Sequence, residues 1–170
     1  MQFEKLRAEL ERNGETIQKL LAGITPEEAR QKPAPDSWSM LEVICHLYDE
    51  EREDFRRRVE LLLQRQGDNW PPIDPVGWVT ARKYNEQDFD GVIAAWAAER
   101  QQSLAWLDNL SRPDWETKTM TPFGFEMAAG DMLASWVTHD TLHMRQLVEL
   151  THARVVKLTQ PCDVRYAGDW

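Results

Sequence analysis

Two histidines, His139 and His143, lie four residues apart in the segment Trp136–Gln146, which reads WVTHDTLHMRQ. Residues i and i+4 of an α-helix point in the same direction, one turn apart, and two imidazoles in that relation can bind one metal ion. The residues that share their helical face are mostly apolar, namely Met132, Trp136, Leu147 and Leu150. We therefore expect both rings to face the protein interior, where a polar ring without a partner is costly.

Hydrophobic residues at helical spacing predict four long helices, at about residues 3–22, 39–66, 88–110 and 126–153. A short helix is predicted after Thr25, where Pro26 suits the first helical position. Ser39 and Glu42 have the spacing of a capping box, which marks the start of the second long helix. Residues 68–88 are too rich in proline for a continuous helix and are expected to pack over the domain as a loop. The sequence therefore predicts an all-α four-helix bundle with a long crossover loop.

Composition limits the class of protein. The chain has 170 residues, with 42% hydrophobic and 29% charged, which is typical of one soluble domain spanning residues 1–170. No apolar run approaches the roughly 20 residues that cross a bilayer, and residues 1–5, MQFEK, do not resemble a signal peptide. We expect a cytoplasmic protein with no membrane partner. The formal net charge of -9 argues against a nucleic-acid partner, which requires a clustered positive surface.

His46 is the candidate for a third metal ligand, because the second and fourth long helices could meet in a bundle. His152, the remaining histidine, projects away from His139 and His143 and is expected at the surface. Three neutral imidazoles suit Zn(II), Ni(II), Fe(II) or Cu(II) better than Mg(II) or Ca(II). Three protein ligands also leave at least one position open for water or for a substrate atom.

A ligating imidazole usually has a partner for its second ring nitrogen. Glu50, one turn after His46, and Gln146, three residues after His143, are candidates for this role. Glu50 is also the best candidate for a catalytic acid or base, whereas Asp140 projects to the side of the histidine face. A His-x-x-x-His pair is often a coincidence, so an interaction bundle whose histidines are core residues remains an alternative.

Two segments resemble one known family. Residues Trp38–Leu47, which read WSMLEVICHL, and residues Gly124–Gln146 resemble the second-helix and fourth-helix signatures of the DinB/YfiT-like superfamily. The resemblance implies a four-helix bundle with one metal bound by three histidines, which carry over to His46, His139 and His143. It also implies a frequent homodimer, and zinc, nickel or iron as the metal.

The characterised members of that superfamily include thiol-dependent S-transferases and a mycothiol-dependent maleylpyruvate isomerase. The resemblance therefore implies a metal-dependent enzyme of the transferase or hydrolase type, acting on a small molecule. A low-molecular-weight thiol is the expected co-substrate. The alternative is a non-catalytic metal-binding or stress-associated protein that uses the metal for stability or sensing.

Overall fold

The structure is a computed structural model that describes residues 2–170. Four long helical segments form a bundle, and the second of them is α3, a π-helical segment and α4 in direct succession. The elements are α1 (Phe3–Leu21), α2 (Pro26–Ala29), α3 (Met40–Asp49), the π-helical segment (Glu50–Phe55), α4 (Arg56–Leu63), α5 (Pro75–Ala81), a 3₁₀ turn (Tyr84–Glu86), α6 (Phe89–Asp108), β1 (Lys118–Met120), β2 (Glu126–Ala128), α7 (Ala129–Leu158) and a 3₁₀ turn (Arg165–Ala167). The all-α four-helix bundle is confirmed. No helix within residues 2–170 has the length and apolar character needed to cross a membrane.

The predicted loop at residues 68–88 is wrong in part, because it contains α5 and a 3₁₀ turn. Pro75 occupies the start of α5, and the Asp74 carboxylate accepts a hydrogen bond from the Gly77 amide at 3.0 Å. Asp74 caps the N-terminus of α5 and Pro75 suits its first position, so a helix can begin within this proline-rich stretch. The expected packing is present, since Trp78 contacts the core and Tyr84 is buried.

The last long helix also differs from the prediction at both ends. Residues 126–128 pair with residues 118–120 as a two-stranded antiparallel hairpin, so α7 begins at Ala129 rather than at residue 126. The Asp131 carboxylate accepts a hydrogen bond from the Ala128 amide at 3.0 Å, which satisfies one free donor at the helix start. The helix then continues to Leu158, five residues beyond its predicted end.

The predicted capping box sets where α3 begins. The Glu42 amide donates to Ser39 Oγ at 3.1 Å, and the Ser39 amide donates to Glu42 Oε2 at 2.8 Å. Both bonds are buried and satisfy donors that the first helical turn leaves free. Because the start of the helix is fixed, His46 is placed in its second turn.

Buried apolar side chains form two clusters along the bundle. One joins the later part of α1, α3, the early part of α6 and the later part of α7, through residues such as Ile17, Ile44, Trp96 and Leu147. The other joins the early part of α1, α4, the later part of α6 and the early part of α7, through Leu10, Val59, Leu107 and Leu133. Arg100 on α6, Glu51 on the π-helical segment and Asp140 on α7 lie between the two clusters and form an ion-pair network.

Arg100 is 2% exposed and connects all four long segments. Its guanidinium donates to Glu51 at 2.9 and 2.8 Å, to Asp140 at 2.8 and 3.0 Å, and to the Leu10 carbonyl at 2.8 Å. Trp136 Nε1 also donates to Glu51, at 3.1 Å. Gly14 on α1 leaves the necessary space, since a Cβ at this position would lie 3.3 Å from Arg100 Cγ.

We predict that Arg100→Met lowers the free energy of unfolding by about 3–5 kcal/mol, because two buried carboxylates would lose their counterion. Urea unfolding followed by circular dichroism measures the change. Arg12→Met is the matched control, since Arg12 forms an exposed pair with Glu9 whose loss costs about 1 kcal/mol or less. Equal losses in the two variants would show that the buried network does not hold the helices together.

Candidate metal centre

The three histidines singled out in the sequence lie together in the fold. His46 comes from α3, and His139 and His143 come from successive turns of α7. The Nε2 atoms of His46 and His139 are 3.3 Å apart, and those of His139 and His143 are 3.1 Å apart. One nitrogen from each of the three rings lies within 4.8 Å of the others. His46 is buried and the other two rings are half-buried, so the cluster lies near the surface.

Aromatic side chains and the Arg100 network hold the rings in place. Phe55 stacks on Trp136 with centroids 6.0 Å apart and contacts the His139 ring at 4.8 Å. Trp38 meets the His46 ring edge-on at 5.0 Å and lies parallel to the His143 ring at 6.4 Å. Glu51 and Asp140, which both bind Arg100, follow His46 and His139 on their respective helices. The salt bridges therefore fix the two helices that carry the rings.

The rings are neutral at physiological pH. Burial, together with the neighbouring His143 and His139 rings, lowers the pKa of His46 to about 2. Burial also lowers the pKa of His139 to about 3, helped by His143 and Arg100, and burial lowers the pKa of His143. Neutral imidazole is the form that binds a metal.

Protons alone cannot satisfy the converging nitrogens. His143 Nδ1 donates to Gln146 Oε1 at 2.8 Å, so Nε2 of this neutral ring carries a lone pair that faces His139. If His139 Nε2 donates to His143, no proton lies between His139 Nε2 and His46 Nε2. If His139 Nε2 instead accepts from His46, no proton lies between His139 Nε2 and His143 Nε2. A cation bound by all three lone pairs removes this conflict.

The nitrogen separations fit a transition-metal ion. Tetrahedral coordination with metal–nitrogen bonds of about 2.0–2.1 Å places two ligating nitrogens about 3.3–3.4 Å apart. The two Nε2–Nε2 separations in this cluster are 3.3 and 3.1 Å. The residues present are therefore suited to a three-histidine metal site.

The predicted partners of the rings have different outcomes. Gln146 is confirmed as the partner of His143 by the bond at 2.8 Å. Glu50 is wrong as the partner of His46, because His46 Nδ1 and Glu50 Oε1 are both buried with no hydrogen bond. Burial and the nearby Asp54 carboxylate raise the pKa of Glu50 to about 8. Asp140 binds Arg100 instead of a ring, and His152 stacks on Trp170 at 4.0 Å, away from the cluster.

Sequence reasoning missed three residues that shape this site, namely Trp38, Phe55 and Arg100. Arg100 had a recognisable signal, since it lies at helical spacing among the apolar residues Trp96, Leu104 and Leu107. A charged side chain on an apolar helical face indicates a buried ion pair. Trp38 and Phe55 had no comparable signal, because large aromatic residues are common in any core.

Comparison with known proteins identifies the family and the fold. The sequence model of the DinB superfamily matches residues 9–147. The chain belongs to the DinB superfamily. A similar solved structure is YfiT from Bacillus subtilis, described as "a probable metal-dependent hydrolase with an unusual four-helix bundle topology". The TM-score is 0.77 at 19% identity, covering 89% of this chain and 86% of YfiT. This likeness shows that the two proteins share a fold. No curated protein matches the sequence.

Two separate clefts open beside the histidines of this DinB-superfamily protein. A cleft of about 580 Å³ is bordered by His143, Gln146 and Trp38. Another cleft, of about 410 Å³, is bordered by His139 and the apolar side chains of Phe55, Ala134 and Leu142, together with Ser135 and Thr138. The two clefts share no bordering residue. Each cleft therefore borders a different histidine of the cluster.

The low pKa of His46 predicts a pH dependence of stability in metal-free protein. Below a pH of about 6.5 the unfolded chain binds a proton on this ring, whereas the folded chain does not. The free energy of unfolding therefore falls as the pH falls. Between pH 7 and pH 5, wild-type protein should lose about 2 kcal/mol more than His46→Ala. Urea unfolding in the presence of a chelator measures the difference. Parallel pH profiles for the two proteins would contradict the neutral, buried state of this ring.

Proposed function

We propose that this protein is a metal-dependent enzyme in which His46, His139 and His143 bind one divalent transition-metal ion, with zinc, nickel or iron as the candidates. The observation that carries the proposal is the convergence of three Nε2 atoms, with separations of 3.3 and 3.1 Å between neighbours. When bound, such an ion supplies a Lewis acid with an open position, which lowers the pKa of a water or thiol placed there.

The protein's own residues prepare the site for this chemistry. Gln146 holds the His143 ring so that its Nε2 lone pair faces the cluster. Burial keeps the His46 and His139 rings unprotonated. Trp38 and Phe55 contact the rings and shield them from bulk water. A site that is already arranged and partly dry loses little energy to reorganisation during a reaction.

We favour transfer of a low-molecular-weight thiol to an electrophile over hydrolysis, because two clefts reach the histidines. The cleft at His139 is largely apolar and suits an organic electrophile. The cleft at His143 has polar groups from Ser37, Gln146 and Glu149, and suits a polar thiol. In the reaction, sulfur forms a bond to carbon, the leaving group departs with the bonding electrons, and the thiol proton passes to solvent.

Hydrolysis is the second candidate, and it is favoured by the likeness to YfiT. The same site would then place water, rather than a thiol, next to the electrophile. A non-catalytic metal-binding role is the alternative to both reactions. The three possibilities require the same ligands and differ in turnover and in dependence on thiol.

We predict that protein purified without a polyhistidine tag contains about one transition-metal ion per chain. His46→Ala, His139→Ala and His143→Ala should each lower metal content by about tenfold or more, because two imidazoles bind a metal much more weakly than three. Inductively coupled plasma mass spectrometry measures the content. His152→Ala is the matched control on the same helix and should keep its metal. Full occupancy in any of the three ligand variants would refute the ligand assignment.

We predict that metal-reconstituted protein conjugates 1-chloro-2,4-dinitrobenzene or a related electrophile with at least one cellular thiol. The reaction is followed by absorbance, and it should stop on chelation and in His143→Ala while continuing in His152→Ala. Ester or amide cleavage without any thiol would favour the hydrolase. Stable metal binding without turnover on either panel would favour the non-catalytic role.

A further inference from the structure

We propose that a groove leading from His143 to Lys157 binds a substrate or co-substrate with an anionic group, carboxylate or phosphate-like, remote from its reacting atom. This inference rests on the proposed function, because it assumes that the reacting atom lies at the three histidines. It concerns how the protein binds the part of the ligand that lies away from the reacting atom and does not contact the histidines.

The groove consists of two adjoining clefts. The cleft of about 580 Å³ at His143 shares Pro33, Leu150 and Ala153 with a second cleft of about 260 Å³. The second cleft is also bordered by Lys32, Arg154, Lys157, Glu28, Gln31 and Met40. The shared residues are apolar, so the two clefts form one path with an apolar middle.

The far end of the groove is positively charged in a chain whose formal net charge is -9. Lys32 pairs with Glu42 at 2.7 Å, and Arg154 pairs with Glu28 at 2.9 Å. Lys157 has no carboxylate partner within residues 2–170, and its ammonium donates to the Gln31 amide oxygen at 3.3 Å. One full positive charge at this end is therefore available to a ligand.

The near end of the groove has the opposite sign. Asp36 and Glu149 border the cleft at His143, and no lysine or arginine borders it. Glu149 pairs with Arg145 at 3.3 Å, so within residues 2–170 the unpaired charge at this end is that of Asp36. An anionic group on a ligand would be repelled there and attracted toward Lys157. The charge pattern therefore orients an elongated molecule, with its anionic end away from the histidines.

Helix geometry sets the length of that molecule. Residues 143 and 154 are separated by about 16 Å along α7, and residues 143 and 157 by about 21 Å. Side chains at both residues lean toward the N-terminus of α7, so the separation shrinks only because the lysine side chain is longer than the imidazole. We expect the reacting atom and the anionic group to be about 15–20 Å apart. A flexible apolar linker would contact Leu150 and Ala153.

The test uses thiols of graded length on cobalt-substituted protein, where absorption of the cobalt–thiolate group reports binding. The probes are alkanethiols of about 3 to 16 carbon atoms, a range that spans the expected distance. Each carries a terminal carboxylate, phosphonate or hydroxyl group. At the best length, the anionic probes should bind roughly threefold to tenfold more tightly than the alcohol. The carboxylate and phosphonate series show which anion the groove prefers.

Lys157→Gln should abolish this preference, and Lys157→Glu should reverse it. Lys157 is exposed, so neither change disturbs the core, and melting temperatures verify folding. Lys118→Glu is the matched control, because it makes the same change in net charge at an exposed position on β1. This control should keep the wild-type preference.

The outcomes separate the two proposals. If no probe produces the cobalt–thiolate absorption, the proposed thiol chemistry fails. If the absorption appears but anionic and neutral probes bind equally at every length, the thiol chemistry stands and the inference about the groove is overturned. The inference about the groove is also overturned if Lys118→Glu and Lys157→Glu change the preference for anionic probes equally.

Discussion

The structure depends on one buried ion-pair network. Arg100 carries one positive charge and faces two carboxylates, Glu51 and Asp140, in a region with almost no solvent. Such a group is stable only when every donor has a partner, because an unpaired buried charge costs several kcal/mol. Arg100 meets this condition only when α1, α6, α7 and the π-helical segment adopt their observed positions. If these segments departed from the observed register, part of the network would be left without partners.

This register brings the histidines together. Glu51 and Asp140 lie near His46 and His139 in sequence, so a shift of either helix would break the Arg100 bonds and separate the rings at the same time. The π-helical segment contributes as well. Its wider turn alters which residues share a face beyond His46, and its last residue, Phe55, contacts both Trp136 and His139. Structural and candidate functional groups thus share one part of the bundle.

Much of the fold was accessible from local sequence signals. The Ser39–Glu42 capping box and the helical apolar stripes depend on neighbouring residues, so they predicted α3 and the four-helix architecture correctly. The hairpin at residues 118–128 and the helix within the proline-rich segment were missed. A short hairpin has weak sequence periodicity, and α5 begins at Asp74 and Pro75, which also occur in loops.

The candidate site likewise combines relations within one helix, which the sequence predicts, and contacts between distant segments, which it does not. The sequence by itself determined that His139 and His143 share a helical face and that Gln146 can reach His143, because these relations follow from the 3.6-residue repeat of one helix. Only the tertiary structure decided that His46 lies 3.3 Å from His139, that Glu50 does not bind His46, and that Arg100 joins the helices. Contacts between distant segments depend on how whole faces pack, and no local pattern encodes that distance.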